Sequence, residues 1–406
     1  MRVLLVNRYW KRYGGVEEVV RDTAALLEER GHEVVPFAMA DPSNWPTPWS
    51  ASFPSNVEFH AGAGARARGT LRAVLGSDAR RALRRVLTTT SIDVAHVFSV
   101  YHYLGTGVLA ELRRQGVPVI LSLHDYKVAC PNVVFYSDRT REQCTVCLDH
   151  RLGDLWAPPL TRCRRGSVGA GLVLSAEALT ARARGAYRRG PRAVTVLNRL
   201  QQRAAEAAGI PAERIYHVPN VLELGPADGV GAPDHVAYVG RLTIDKGVDV
   251  LVEACARAGL ELRVVGDGPA RRELERLADR LGASTAFTGP VDRPAAVAEM
   301  RNAVVAVPSR WPDTAPLVVG EAWSVGAPVV GSDVGGLGEF LADGRGVRCS
   351  PGDADDLARG LRTVLDDPAA ARAMVRRARD YAAAELSRER WLERMGRVYA
   401  AAGVTL

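Results

Sequence analysis

Lysine is scarce in this chain, with three among 53 basic residues, and one of the three, Lys246, sits in GRLTIDKG (240–247) five residues after Arg241. About 70 residues further on comes an acidic pair, Asp313 and Glu321, spaced Asp-x7-Glu. An ammonium is a compact point charge and a guanidinium a wide planar fork, so the two do not substitute for each other at a tight phosphate site. A lysine kept in a Gly-bounded loop after a strand therefore points to anion binding, with Arg241 and Lys246 offering two cations to a diphosphate. Charge-assisted hydrogen bonds of this kind are worth about 1.5–3 kcal/mol each. Leu317 and Val318 open a helix, whose leading N–H groups and dipole favour the same anion. Glu321, one turn inside, is an acceptor-only carboxylate suited to a pair of ribose hydroxyls.

Alternating strand and helix signals must position these groups. The apolar run at Val3 to Val6 reads as a strand, the loop with Gly14 and Gly15 follows, and a helix runs from about Val16 to Arg30, ended by Gly31. HEVVPFA returns as a second strand, which makes a βαβ unit. Further strands are expected at 93–98 and 118–123 around a helix near 104–115. The pattern restarts after 213 with strands at 214–220, 235–240, 260–269, near 285–288, 303–307 and 328–331, and helices at 248–259, 270–282, 294–302 and 317–325. Two blocks of alternation predict two Rossmann-like domains of α/β class. The first spans 1–200 and the second 213–380, with a boundary near 198–213. A last amphipathic helix within 387–406 carries an aromatic anchor at Trp391. In open α/β sheets ligands bind beyond the carboxyl ends of the strands. The stretches 7–15, 124–127, 240–247, 266–269 and 309–321 fall there, which draws Gly14, Gly15, His124, Gly240 and Gly266 into the candidate site. No strand is followed by G-x-G-x-x-G, so a dinucleotide site has no support.

Composition narrows the class. At 406 residues, 47% apolar and 24% charged, the chain reads as a globular protein of two domains. No apolar run is long enough to span a membrane, and MRVLLVNRYW is too short a stretch for a signal peptide, so a cytoplasmic location is expected. A net charge of +7 calls for anionic company. The arginines are bunched at 66–85 (Arg66, Arg68, Arg72, Arg80, Arg81, Arg84, Arg85) and again at Arg182, Arg184, Arg188, Arg189 and Arg192. Either a solvated helix face or peripheral contact with an anionic membrane accounts for such bunches.

The set GGVE, HDY, GRL with DKG, VVGDGP and PSRWPDTAPLVVGEAWSVGAPVVGSDVGGLGE resembles the family 4 glycosyltransferases of GT-B fold over nearly the whole length. The resemblance implies two Rossmann-like domains facing across a cleft, a nucleotide-sugar donor (UDP- or GDP-linked) held mainly by the second domain, and transfer with retention. It implies that Arg241 and Lys246 hold the donor diphosphate, Glu321 the ribose and Gly15 the phosphate from the opposite domain. His124 is expected to contact the donor sugar near the reacting carbon, and the final helix to cross back onto the first domain. The mechanism so implied is front-face displacement with the leaving diphosphate taking the acceptor's proton, with neither a protein nucleophile nor a catalytic metal. One departure matters: the family's first acid is Glu, whereas Asp313 is a methylene shorter and is followed by Thr314-Ala315-Pro316. A changed fit at the donor-sugar hydroxyl that this acid binds is therefore expected.

Six cysteines in a protein expected to be cytoplasmic argue against structural disulfides. Cys130, Cys144, Cys147 and Cys163, separated by thirteen, two and fifteen residues within a segment at 128–166, fit a tetrahedral zinc site. Free thiols or an iron–sulfur cluster are the alternatives. Family members that share HDYKxxCPN carry such an insertion, which favours the structural metal. Cys255 and Cys349 read as small core residues.

Basic balance with a zinc-like cysteine set also suggests a nucleic-acid binder. Low aromatic content, 6%, and basic clusters without interleaved aromatics argue against it, so no nucleic-acid partner is expected. A non-catalytic protein of the same fold is the other alternative, opposed by the joint presence of Arg241, Lys246 and Glu321. The expected partners are a nucleotide sugar and a glycosyl acceptor, as in polysaccharide or specialised-metabolite biosynthesis. A Pro/Trp-rich loop at 41–62 offers aromatic surface for that acceptor.

Overall fold

The computed structural model describes residues 1–56, 74, 76–225 and 232–406. Short Val-rich runs, buried on both faces, form the strands, as expected where helices cover both sides of a parallel sheet. The first sheet contains β1 (Arg2–Val6), β2 (Glu33–Phe37), β3 (Val94–Val97) and β4 (Val119–Ser122). A small two-stranded ribbon follows, β5 (Tyr136–Ser137) with β6 (Glu142–Gln143), and then β7 (Ala193–Val196) and β8 (Ile215–His217) complete that first sheet. The second holds β9 (His235–Val239), β10 (Leu262–Val265), β11 (Thr285–Gly289), β12 (Ala303–Val307), β13 (Val329–Ser332) and β14 (Val347–Cys349).

The strand orders are β2-β1-β3-β4-β7-β8 and β11-β10-β9-β12-β13-β14, six strands in each. Every adjacent pair is parallel, for example Val3 opposite Val34 and Val305 opposite Val329. Each order reverses direction once, between β1 and β3 in the first sheet and between β9 and β12 in the second. A doubly wound sheet opens a crevice at such a reversal, beyond the carboxyl ends of the two strands.

Residue alternation builds the core of the second sheet. Val304 and Ala306 pack with Val250, Leu251 and Leu361 on one face. Val305 and Val307 pack with Trp323 and Leu337 on the other. The chain divides into one unit of Met1–Arg139, Cys144–Val218 and Leu392–Leu406, and another of Thr140–Gln143 and Pro219–Trp391. In the first unit Tyr399, from the part of the final helix (Arg388–Ala401) that follows Trp391, enters the core, where its hydroxyl lies 3.1 Å from His96 Nδ1.

One sequence expectation needs correction. The strand at 214–220 was assigned to the second domain, but Ile215–His217 pairs in parallel with β7 and ends the first sheet. The Pro turn at Pro211 therefore lies inside the last crossover of the first unit, and β7 itself had no expectation at all. Of the first arginine bunch, Arg66, Arg68 and Arg72 lie outside the described residues, as do residues 57–62 of the Pro/Trp loop. Arg84 in the helix Ser77–Thr89 is spent on Glu111, with Nε 2.9 Å from Oε1.

Candidate functional site

Loops at the reversal in the second sheet carry most of the predicted residues. After β9 the chain turns through Gly240 and the exposed Arg241, then makes a single turn of 3-10 helix, Ile244–Lys246. Gly247 follows at φ +69°, where a Cβ would meet the Pro308 carbonyl oxygen at 2.1 Å, so only glycine lets this loop lie against the end of β12. Gly266 at φ +135° would set a Cβ 2.0 Å from the carbonyl oxygen of Gly240, which brings the ends of β9 and β10 into backbone contact.

That packing places Lys246 opposite the loop after β12. Its ammonium donates to Asp313 Oδ2 at 2.6 Å and stands 5.0 Å from the centre of the Trp311 ring. Asp313 is buried, and its own carbonyl accepts from Gly336 N at 2.8 Å. Ser309 Oγ and Trp311 Nε1, on the same loop, are buried without a hydrogen-bond partner, and sequence reasoning singled out neither. The helix Leu317–Ser324 starts with Leu317 and Val318 behind Pro316, with no side chain capping it. Glu321 turns to a residue the sequence reading missed, Arg293, whose Nε donates to Oε1 at 2.8 Å. Lys246 and Asp313 are thus brought into contact, while Glu321 is held from a separate helix, Arg293–Ala298.

In the first unit the helix Gly15–Glu29 starts beyond β1, with Gly14 as its extended N-cap. Glu17 in its first turn is fully buried, accepting from Asn7 Nδ2 at 3.2 Å and pairing with Arg8 at 3.4 Å. Asn7 Oδ1 accepts from Ser99 N at 3.2 Å, so one amide fastens the ends of β1 and β3 to the helix start. The GGVE run was the only trace of Glu17 in the sequence. His124 follows β4, stacked on Phe98 with ring centres 5.5 Å apart, and Phe98 stacks in turn on His96 at 4.4 Å. Burial pushes the His124 imidazole down to about 4, so it is neutral at physiological pH. Burial raises the neighbouring Asp125 carboxyl, against the opposing pull of Tyr101, the Lys127 amide and the Arg8 charge.

The structure lends no support to a zinc site at Cys130, Cys144, Cys147 and Cys163. The four lie within electrostatic reach of one another and all are free. Among the described residues, however, no three His, Cys, Asp or Glu side chains gather into a group that could hold an ion. Burial pushes the Cys130 thiol up to about 12 and raises Cys163. Other bonds hold the segment in shape. Lys127 Nζ pairs with Glu177 at 2.6 Å, His102 approaches the same carboxylate at 3.0 Å, and Arg182 grips Asp154 by two bonds of 2.6 and 2.7 Å. Asn132 Nδ2 donates to the Tyr136 carbonyl at 2.8 Å.

Comparison with known proteins bears on the family and the fold. The family described as Glycosyltransferase Family 4 matches residues 13–224, and that described as Glycosyl transferases group 1 matches residues 230–381. A glycogen synthase of Mycobacterium tuberculosis is 38% identical over 156 residues, covering 36% of this chain and 37% of that protein. The chain thus matches little more than a third of that relative's length. An alpha-D-kanosaminyltransferase of Streptomyces kanamyceticus is 26% identical over 363 residues, 82% of each chain. Among solved structures, Anabaena HepE in complex with UDP and glucose superimposes with a TM-score of 0.68 at 18% identity, covering 99% of this chain and 100% of that one. Sucrose-phosphate synthase of Thermosynechococcus elongatus gives 0.70 at 20% identity, with 98% of each covered.

Proposed function

This chain belongs to glycosyltransferase family 4, with the GT-B fold, and from that premise we propose that it moves a sugar from a nucleoside-diphosphate sugar to a hydroxyl acceptor with retention of anomeric configuration. The Lys246–Asp313 pair at the reversal of the second sheet carries this reading. An ammonium has three N–H donors; one is taken by Asp313 at 2.6 Å, which leaves two for a diphosphate. Arg241, exposed on the same loop, adds a second cation. The first-turn amides of Leu317 and Val318 add a helix N-terminus. Glu321, oriented by Arg293, takes the ribose hydroxyls, and the loop of Gly240 and Gly266 lets the backbone approach the phosphates.

In the reaction, the bond from the anomeric carbon to the diphosphate oxygen breaks while the acceptor oxygen bonds to that carbon on the same face. The acceptor proton passes to the departing diphosphate. Lys246 and Arg241 lower the barrier by balancing charge that grows on the leaving group. In the first unit taken by itself, the amides of Gly14 and Gly15 suit a phosphate, and His124, neutral at working pH, suits a sugar hydroxyl rather than a charge.

Support for a UDP donor comes from the neighbour solved with UDP and glucose; GDP-sugars are the competing donors. The acceptor is a glycan, a lipid-linked sugar or a small molecule such as an aglycone. The test is the shift in melting midpoint of the purified protein with a panel of nucleoside diphosphates and nucleotide sugars, with Lys246→Ala in parallel. Saturating ligand stabilises the folded state by RT ln(1 + [L]/Kd), which moves the midpoint by a few degrees. A base-selective shift lost in the variant supports the reading, and no shift with any of the panel overturns it.

A further inference from the structure

Two adjacent helices of the first unit, Gly153–Thr161 and Val168–Arg184, concentrate the protein's exposed apolar surface. Of eleven large apolar side chains exposed among the described residues, seven lie between Leu152 and Leu179. The longer helix is apolar on two opposite stripes. Gly171, Leu174 and Ala181 face inward, and Gly171 sits so close to the shorter helix that a Cβ would lie 2.5 Å from the Pro158 backbone. Val168, Leu172, Ala176, Leu179 and Ala183, spaced four, four, three and four residues apart, form the other stripe, and it faces outward. Leu172 and Leu179 are 57% and 56% exposed, and Leu160 on the shorter helix is 69% exposed, values that no core-facing stripe would show. Trp156 stands exposed on the shorter helix.

The charges around this face are of one sign. Residues 151–189 contain eight arginines and two carboxylates, Asp154 and Glu177. Both carboxylates are buried and ion-paired, so they present no negative charge to the outside. Arg151, Arg162 and Arg165 are exposed beside the shorter helix. At the other end of the longer helix, Arg188 and Arg189 are exposed and line, with Lys127 and Arg182, a cavity of about 190 Å³.

We infer that this outward face is a docking surface for an anionic lipid bilayer, with the Leu160–Leu172–Leu179 patch entering the headgroup–acyl boundary and the arginines at its two ends meeting lipid phosphates. Apolar residues with Trp on one face and arginine at the rim are the composition of an interfacial helix. A second copy of this chain fits poorly, because a two-fold contact through this face sets arginine rims against one another. No helix among the described residues is long and apolar enough to cross a membrane, so the contact is a surface one. The arginine bunches of the sequence suggested membrane contact without an apolar anchor. This face supplies the anchor.

Flotation of the full chain with vesicles tests the inference, with no donor or acceptor added, so that failure here leaves the transfer reading untouched. The protein is expected to float with vesicles of phosphatidylglycerol and phosphatidylcholine in equal parts, far less with phosphatidylcholine alone, and less as salt rises. Leu160→Glu with Leu172→Glu should lower partitioning roughly tenfold or more while leaving the melting midpoint in place, since both side chains are exposed. Arg188→Glu with Arg189→Glu should lower it roughly fivefold per charge on anionic vesicles only. A wild-type protein that ignores anionic vesicles, or a Leu160/Leu172 variant that floats like wild type, overturns the inference. So does a dimer in light scattering that the same variant splits into monomers, which would make the face a self-association surface.

Discussion

Lys246 Nζ and Asp313 Oδ2 stand 2.6 Å apart, bridging the loop after β9 to the loop after β12 at the one place where the second sheet reverses its order. The shorter acid of this chain is therefore engaged by the cation that is proposed to hold the donor. Its length sets where the ammonium sits, as well as any contact with a sugar hydroxyl.

Replacing Lys246 by alanine is expected to lower kcat by roughly a hundredfold or more, the scale of one lost charge-stabilising donor. It also leaves Asp313 buried without its partner, at a cost of about 1–3 kcal/mol in stability. Steady-state kinetics together with urea denaturation separates the two effects. Near-normal turnover in a folded variant would remove Lys246 from the reaction.

Asp313→Glu probes fit rather than charge. The extra methylene pushes the carboxylate against the ammonium and displaces it, so donor preference or KM is expected to change about tenfold, with smaller loss than Asp313→Asn. A donor screen in which preference and rate are both unaltered would show that the shorter acid has no consequence.

Gly266→Ala should be strongly destabilising. The added Cβ lands 2.0 Å from the Gly240 carbonyl oxygen at a φ of +135°, so strain and overlap add to roughly 2–5 kcal/mol. Chemical denaturation measures it, and a loss below about 1 kcal/mol would mean that the two loops part easily.

Acid should weaken the protein in two stages. His124 is held near 4 by burial, below its ordinary 6.5, so the unfolded chain binds the proton first, and stability falls as pH drops from 6.5 toward 4. His96, pushed down to about 3 by burial and by His124, extends the same loss downward. Burial favours the neutral Glu177 carboxyl, but Lys127 and His102 outweigh it and hold the group well below its ordinary 4.5. Its stabilising share is complete above 4.5 and is lost as pH falls beneath that value. Melting midpoints between pH 7 and pH 4 should decline, and His124→Asn should flatten the upper part of the slope. An identical slope in that variant would contradict the assignment.

Lys127→Met removes one half of a buried pair and leaves the Glu177 carboxylate with His102 alone. A cost of about 3–5 kcal/mol is expected. Replacing both, Lys127→Met with Glu177→Leu, should recover much of it, and a double-mutant cycle reads the coupling.

Much of the architecture was legible locally. Short Val-rich runs such as AVVAV at 303–307 suit strands buried on both faces, and the 3.6-residue period before Gly259 and Gly282 announces the helices that those glycines end. The scarce lysine and the Asp-x7-Glu spacing marked two loops of the second unit in advance. Ile215–His217 was read into the wrong sheet because three residues carry no sign of which neighbour they will pair with. Arg293 gave no signal because nothing in its own surroundings sets it apart from other arginines, and Glu17, Ser309 and Trp311 stood inside motifs that gave none of them a role.

The sequence by itself determined many of the elements, the two-block α/β plan and the residue types at the strand ends, since a helix or strand period is a property of a few consecutive residues. The tertiary structure alone decided that Lys246 meets Asp313, that Glu321 meets Arg293, that the cysteine segment is held by buried ion pairs, and that one stripe of the helix Val168–Arg184 stays uncovered. Those outcomes depend on strand order and on which loops arrive at one end of a sheet, and strand order is set by the packing of distant segments rather than by any local pattern.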